Sequence, residues 1–107
     1  MAPAAEGCAH VVDASISLTA AGYTINATVS SADTGWDKYA DAWEVRDEQG
    51  LVLGERVLAH PHETEQPFTR SLAGVQIPEE VEELTIAARD SVLGFCGEVF
   101  VVEVPVR

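Results

Sequence analysis

Gly22-Tyr23-Thr24-Ile25-Asn26-Ala27-Thr28-Val29-Ser30 is the stretch that decides the fold of this chain. Tyr23, Ile25, Ala27 and Val29 alternate without a break with Thr24, Asn26, Thr28 and Ser30. Successive side chains of a strand point to opposite faces, so a period of two makes one apolar face and one wet face. The aromatic and β-branched content fits the same conformation. Ala21-Gly22 turns the chain back onto a similar segment at 9–19, where Val12, Ala14, Ile16 and Leu18 alternate with Asp13, Ser15 and Ser17.

The pattern continues toward the C-terminus. A third strand over 41–47 places Trp43 and Val45 on one face and Glu44 and Arg46 on the other. Glu48-Gln49-Gly50 is a tight turn into a fourth strand at 51–59, and the two make a hairpin. Phe68 to Leu72 gives a fifth strand. Leu84, Ile86 and Ala88, opposite Thr85, Ala87 and Arg89, mark a sixth. The last runs over 98–106 with Phe100, Val102 and Val104 inward, and Pro105 near its end suits a terminus or edge. Between the fifth and sixth, Pro78 followed by Glu79 and Glu80 fits a single helical turn over 77–83.

Seven short strands with regular turns predict an all-β fold, an antiparallel sandwich of immunoglobulin-like or fibronectin III-like type, forming one domain over 1–107. Trp43 on the third strand resembles the core tryptophan of such sandwiches. Cys8 and Cys96 are not placed for the intersheet bridge of antibody domains.

The 107 residues match one domain, and 47% apolar with 22% charged composition is that of a folded protein. No apolar run reaches the roughly 18 residues that span a bilayer. Eighteen acidic residues against six Lys and Arg give a formal charge of −12. Such a surface repels phosphate backbones and anionic lipid, so nucleic acid and membrane insertion are poor expectations. It accepts cations and basic partners, or serves colloidal solubility alone. The chain is expected to act as a monomer.

Cys8 and Cys96 are too far apart for a CxxC redox motif or zinc ribbon. Either they form one disulfide, closing a loop of roughly 90 residues worth about 4 kcal/mol, or they are two buried thiols. No basic n-region or apolar h-region begins the chain, so the expectation is no signal peptide within it. Its small-residue start suits the mature end of an exported, periplasmic or secreted protein, with Met1 added for expression.

Alternation of seven strands has a spatial consequence. The N-terminal segment and residues 31–40, 60–66 and 91–97 should meet at one pole. Residues 20–22, 48–50 and 73–82 go to the other. Both cysteines belong to the first pole, where parallel pairing of the first and last strands would bring the sulfurs together.

The unusual side chains gather at that pole. Asp33-Thr34-Gly35-Trp36-Asp37-Lys38-Tyr39-Ala40-Asp41 holds three carboxylates and two aromatics but lacks the spacing and terminal Glu of an EF-hand. Either Trp36 and Tyr39 cap the core while the aspartates make Asx turns, or Trp36, Asp37 and Tyr39, joined by Phe95, form a protein contact patch. In His60-Pro61-His62 the proline fixes an extended backbone, so both imidazoles face one way. With Glu65 or Glu63 as an oxygen ligand, and His10 as a further nitrogen, they could hold Zn²⁺ or Cu²⁺. The expected ligand set is His60, His62 and Glu65; a histidine in a loop is otherwise a surface hydrogen-bonding residue.

No nucleophile elbow, phosphate-cradling glycine loop or HExxH stands in the sequence, so no catalytic residues are assigned and no enzyme is expected. Asn26-Ala27-Thr28 fits the N-glycosylation triplet on an outward position. Arg70 shares the facing of Phe68 and Leu72, and either pairs at a sheet edge with a carboxylate such as Asp90 or contacts an anion.

Residues 34–43 (TGWDKYADAW) and 60–72 (HPHETEQPFTRSL) resemble a family of small exported bacterial proteins with no assigned activity. The resemblance implies a bacterial, periplasmic setting and an immunoglobulin-like sandwich, and carries over no catalytic residue. The expectation is a noncatalytic binding module that holds Zn or Cu through the His-Pro-His loop. The alternatives are a protein–protein interaction domain using the aromatic and acidic loop, or an accessory structural domain.

Overall fold

The computed structural model describes residues 7–105. Their alternating segments form seven strands: β1 (His10–Thr19), β2 (Gly22–Ser30), β3 (Ala40–Arg46), β4 (Val52–Val57), β5 (Phe68–Val75), β6 (Glu83–Asp90) and β7 (Phe100–Glu103). They make two antiparallel sheets, ordered β1-β2-β5 and β4-β3-β6-β7. The arrangement places the fourth strand beside the third, as the turn at 48–50 dictates, whereas antibody constant domains place it beside the fifth.

The inner faces are those the alternation indicates. Tyr23, Ile25, Ala27 and Val29 of β2 meet Trp43 and Val45 of β3 and Leu84, Ile86 and Ala88 of β6 in one buried cluster that includes Phe68. Trp43 is wholly buried. Phe100, Val102 and Val104 pack against this cluster from the last strand and its exit.

Four expectations need correction. Val12 does not face inward, and Leu18 too is exposed. The β1–β2 register skips Val12, pairing Val11 with Val29 and Asp13 with Thr28. This bulge inserts one residue and turns Val11, Ala14 and Ile16 to the core while Val12 is left outside. The segment at 77–83 holds no helix but one turn closed by Val81 N–H donating to the Pro78 carbonyl at 3.1 Å. The last strand is shorter than 98–106, and residue 106 lies outside the described residues. Finally, β1 makes its ladder with β2 alone, not with β7.

The seam between the two ends is narrower than a ladder. Val11 N–H donates to the Glu98 carbonyl at 2.9 Å, and Glu98 N–H donates to His10 Nδ1 at 2.9 Å. That suffices to join Cys8 and Cys96 in a disulfide, with Cα atoms 5.5 Å apart. The approach is so close that a Cβ at Gly97 would lie 2.0 Å from the Ala9 carbonyl oxygen, so only glycine fits there.

The loops sort between the poles as alternation requires. At one, Ser31 N–H donates to Gln66 Oε1, His62 N–H to Asp33, and Tyr39 N–H to Ser91 Oγ. At the other, Gln76 Nε2 donates to the Ala21 carbonyl and Glu82 N–H to Glu48.

Candidate functional site

Two buried carboxylates build the first pole. Asp33 Oδ1 accepts from Ser31 Oγ at 2.7 Å and Ala40 N–H at 2.9 Å, while Oδ2 accepts from His62 N–H at 2.8 Å. Its side chain has no exposure. A carboxylate withdrawn from water is tolerable only when donors replace its hydration, and here the three donors come from two different loops. Asp33 therefore locks 31–39 to 60–67.

Asp90 does the same on the other side. Its carboxylate accepts from Lys38 Nζ at 2.7 Å, Leu93 N–H at 2.9 Å and Val92 N–H at 3.0 Å. Burial alone would raise its pKa; the Lys38 ammonium and the two amides outweigh this and hold the group below its ordinary 3.8. Lys38 Nζ also donates to the Gly7 carbonyl, next to Cys8. The disulfide, Lys38 and Asp90 thus tie three segments into one block.

From this block a short hairpin projects. Thr34 N–H donates to the Lys38 carbonyl and Lys38 N–H to that of Gly35, with Gly35 at a positive φ of 141° that suits glycine. Trp36 and Asp37 occupy the tip. Trp36 is 68% exposed, and its ring meets Tyr39 edge-on at 5.6 Å. Trp36 does not cap the core, and that reading of it is corrected; Tyr39 is half-buried. Val92 and Leu93 are also exposed, and Leu93 and the end of the Lys38 side chain both lie close to Gly7. Phe95, expected with Trp36 and Tyr39, turns elsewhere. Its ring sits 4.5 Å from the guanidinium of Arg46, which also pairs with Glu44 on the outer face of β3.

The histidine loop is held as firmly. His62 is buried and stacks on Phe68 at 3.9 Å with rings 9° from parallel. Arg70 Nη2 lies 3.0 Å from both His62 Nε2 and Glu65 Oε1. A guanidinium only donates, so His62 Nε2 accepts and the ring proton sits on Nδ1. That atom is buried without a hydrogen-bond partner, 4.0 Å from Asp33 Oδ2. Burial, then the charges of Arg70 and His60, lower the His62 pKa below 6.5, against the opposing pull of Asp33 and Glu65.

This answers where the expected metal ligands stand. His60 and His62 are adjacent, with ring centroids 4.6 Å apart, and Glu65 is close by. Arg70 occupies the position between His62 Nε2 and Glu65 where a cation would bind. His10 is engaged at the Glu98 seam. Among the described residues no group of three or more His, Cys, Asp or Glu is arranged to hold a metal ion. Arg70 itself pairs with Glu65; the expected partner Asp90 is taken by Lys38.

Spacing alone does not mark Asp33 and Asp90 as structural nodes, or Lys38 as the partner of Asp90, because their partners come from remote loops. The one sequence signal is that each carboxylate flanks a strand end at the crowded pole.

A protein of Halomicrobium mukohataei bearing the name "Putative lipoprotein" is 37% identical over 98 residues, which is 89% of this chain and 47% of that protein. The chain spans about half the length of this curated relative. No family model and no solved structure matches the chain. Among the described residues no helix is long and apolar enough to cross a membrane.

Proposed function

We propose that the chain is a noncatalytic binding module of an exported or cell-envelope protein, which grips a protein partner with the crest formed by Trp36, Asp37 and Tyr39. The observation that carries this reading is an indole left 68% exposed on a hairpin whose backbone is closed by its own hydrogen bonds and braced by Asp33 and Asp90. Binding normally costs the ordering of loops and side chains; a tip already fixed avoids much of that cost. Tryptophan and tyrosine are the residues that most often dominate interface energetics. Asp37 beside them, on a chain of charge −12, suits a partner with basic residues around its contact.

The disulfide supports an oxidising compartment, and the name of the relative supports an envelope setting. Both cysteines are used in that disulfide, so neither offers a free thiol for lipid attachment. The test is retention of envelope proteins on immobilised wild-type chain and on Trp36→Ala. A partner held by the wild type and at least about 10-fold less well by the variant is expected of a central aromatic contact. Equal retention would remove Trp36 from the contact.

A second reading is favoured by the 4.6 Å approach of the His60 and His62 rings: a Zn²⁺ or Cu²⁺ site completed by Glu65. It requires Arg70 to leave both His62 and Glu65. Titration with Zn²⁺ and then Cu²⁺, followed by histidine NMR shifts at neutral pH, separates the two. Saturable shifts at both rings, lost in His60→Ala, would establish the metal; flat shifts to millimolar metal would end it.

A further inference from the structure

The outward face of the β1-β2-β5 sheet differs from the rest of this acidic surface. Every outward side chain of β2 (Thr24, Asn26, Thr28 and Ser30) is a hydroxyl or an amide. The register sets Ser15 and Ser71 on either side of Asn26, and Thr69 beside Thr28. The strands contribute no Lys or Arg to this face and one carboxylate, Asp13, although 24 of the 107 residues of the chain are charged, 18 acidic and six basic. Solvent-facing sheets ordinarily take their solubility from mixed charges.

Asn26 sits at the centre of this face and begins Asn26-Ala27-Thr28. Extended backbone puts Asn26 and Thr28 on one side, roughly 7 Å apart along the strand. Asn26 Oδ1 accepts from Ser71 Oγ, which fixes the amide plane, whereas Nδ2 donates to Ser15 Oγ across 3.4 Å, the outer limit of a hydrogen bond. Nδ2 is therefore aimed toward edge strand β1, over short side chains that obstruct nothing.

We propose that Asn26 is the attachment site of an N-linked oligosaccharide, with the hydroxyls around it forming the bed on which the first sugars rest. The sugar comes from a lipid-linked phospho-oligosaccharide. The bond from sugar C1 to the phosphate oxygen breaks, the bond from C1 to Asn26 Nδ2 forms, and one amide proton leaves with the lipid phosphate. Nothing is oxidised or reduced. The sugar then supplies the hydration that charges supply elsewhere on the surface, and the hydroxyls of Ser15, Ser71 and Thr28 are within reach as hydrogen-bonding partners. The inference rests on the exported setting proposed above and is independent of the Trp36 crest.

The test is mass spectrometry of the full chain purified from the cells that export it, with fragmentation of the tryptic peptide ending at Lys38. The expected result is a mass increase of one or more hexose or N-acetylhexosamine units located on Asn26. It should be absent from Asn26→Gln and Thr28→Ala and kept in Thr28→Ser, with the disulfide formed in all. An exported, disulfide-bonded protein whose Asn26 is unmodified would overturn the proposal. So would a sugar that survives Thr28→Ala, or sugars found on serine and threonine hydroxyls of the face instead. None of these results changes the retention expected of Trp36→Ala, so failure of the glycan and failure of the crest are distinguishable.

Discussion

His62 shows how far a residue's chemistry can depart from its surroundings in the chain. Flanked by Pro61 and Glu63 in a polar loop, it is nevertheless buried against Phe68 and held neutral. The folded state binds its proton less readily than the unfolded chain, since burial and Arg70 lower its pKa. When pH drops below the ordinary 6.5, the unfolded chain takes up the proton first, and stability declines until the lowered folded pKa is passed. The contribution is complete above 6.5. Urea midpoints measured between pH 7.5 and 5 should therefore fall, and the part due to His62 should vanish in His62→Phe. His60→Ala, at an exposed ring, should keep most of the slope and lose only the part that the His60 charge imposes on His62. A slope unchanged in His62→Phe would place its origin in another group. Asp90 acts in the same direction at lower pH, its contribution being present above 3.8 and lost as pH falls through its lower folded value.

At the scale of elements, the two tryptophans divide core from contact. Trp43 lies on β3, an inner strand between β4 and β6, and is buried in the cluster that both sheets share. Trp36 lies four residues before that strand begins, on a turn that carries it away from the sheets. Trp36→Ala should change unfolding free energy by no more than about 0.5 kcal/mol, as for other surface positions. Trp43→Ala should cost about 3–5 kcal/mol through the cavity it leaves. Chemical denaturation followed by circular dichroism measures both. A large loss on Trp36→Ala would make that side chain structural and deprive the crest of its motive. The bulge at Val12 belongs to this scale too. A single inserted residue re-aims one end of β1, so Val11 reaches the core and its amide meets Glu98. Without that shift the N-terminal segment would not lie along the residues before β7.

For the molecule as a whole, the decisive link is the one that closes the chain end to end. Cys8 and Cys96 are separated by 88 residues, so the disulfide restricts nearly the entire unfolded chain. Its removal should lower stability by about 4 kcal/mol if native geometry is kept, a large share of the total for one small domain. Cys8→Ala/Cys96→Ala should still give the circular dichroism of a β-sandwich, because the cluster around Trp43 and Phe68 does not involve either sulfur. Its urea midpoint should fall well below that of the oxidised protein. A midpoint unchanged by the double substitution would show that the two ends stay ordered in the unfolded state.

Period-two alternation is enough to find seven strands, the inward faces of β2, β3 and β6 and the pole of each loop, but not the bulge that turns Val12 outward or the short span of β7. All three follow from local rules: side chains alternate along a strand, turns need particular residues, and direction reverses at each crossing. Tyr23, Ile25, Ala27 and Val29 needed no partner to declare their face. What those loops do when they meet depends on contacts between residues far apart in the chain. Choice between a disulfide and two thiols depends on the 5.5 Å separation of Cα atoms that lie 88 residues apart in the chain. Asp33 and Asp90 became nodes, and Trp36 became exposed, through hydrogen bonds from distant loops. Arg70 entered between His62 and Glu65 because β5 runs directly out of the histidine loop, and a guanidinium finds there two acceptors that spacing had offered to a metal. Charges and hydrogen-bond donors act through space, and the period of a strand carries no record of which of them will come to rest side by side.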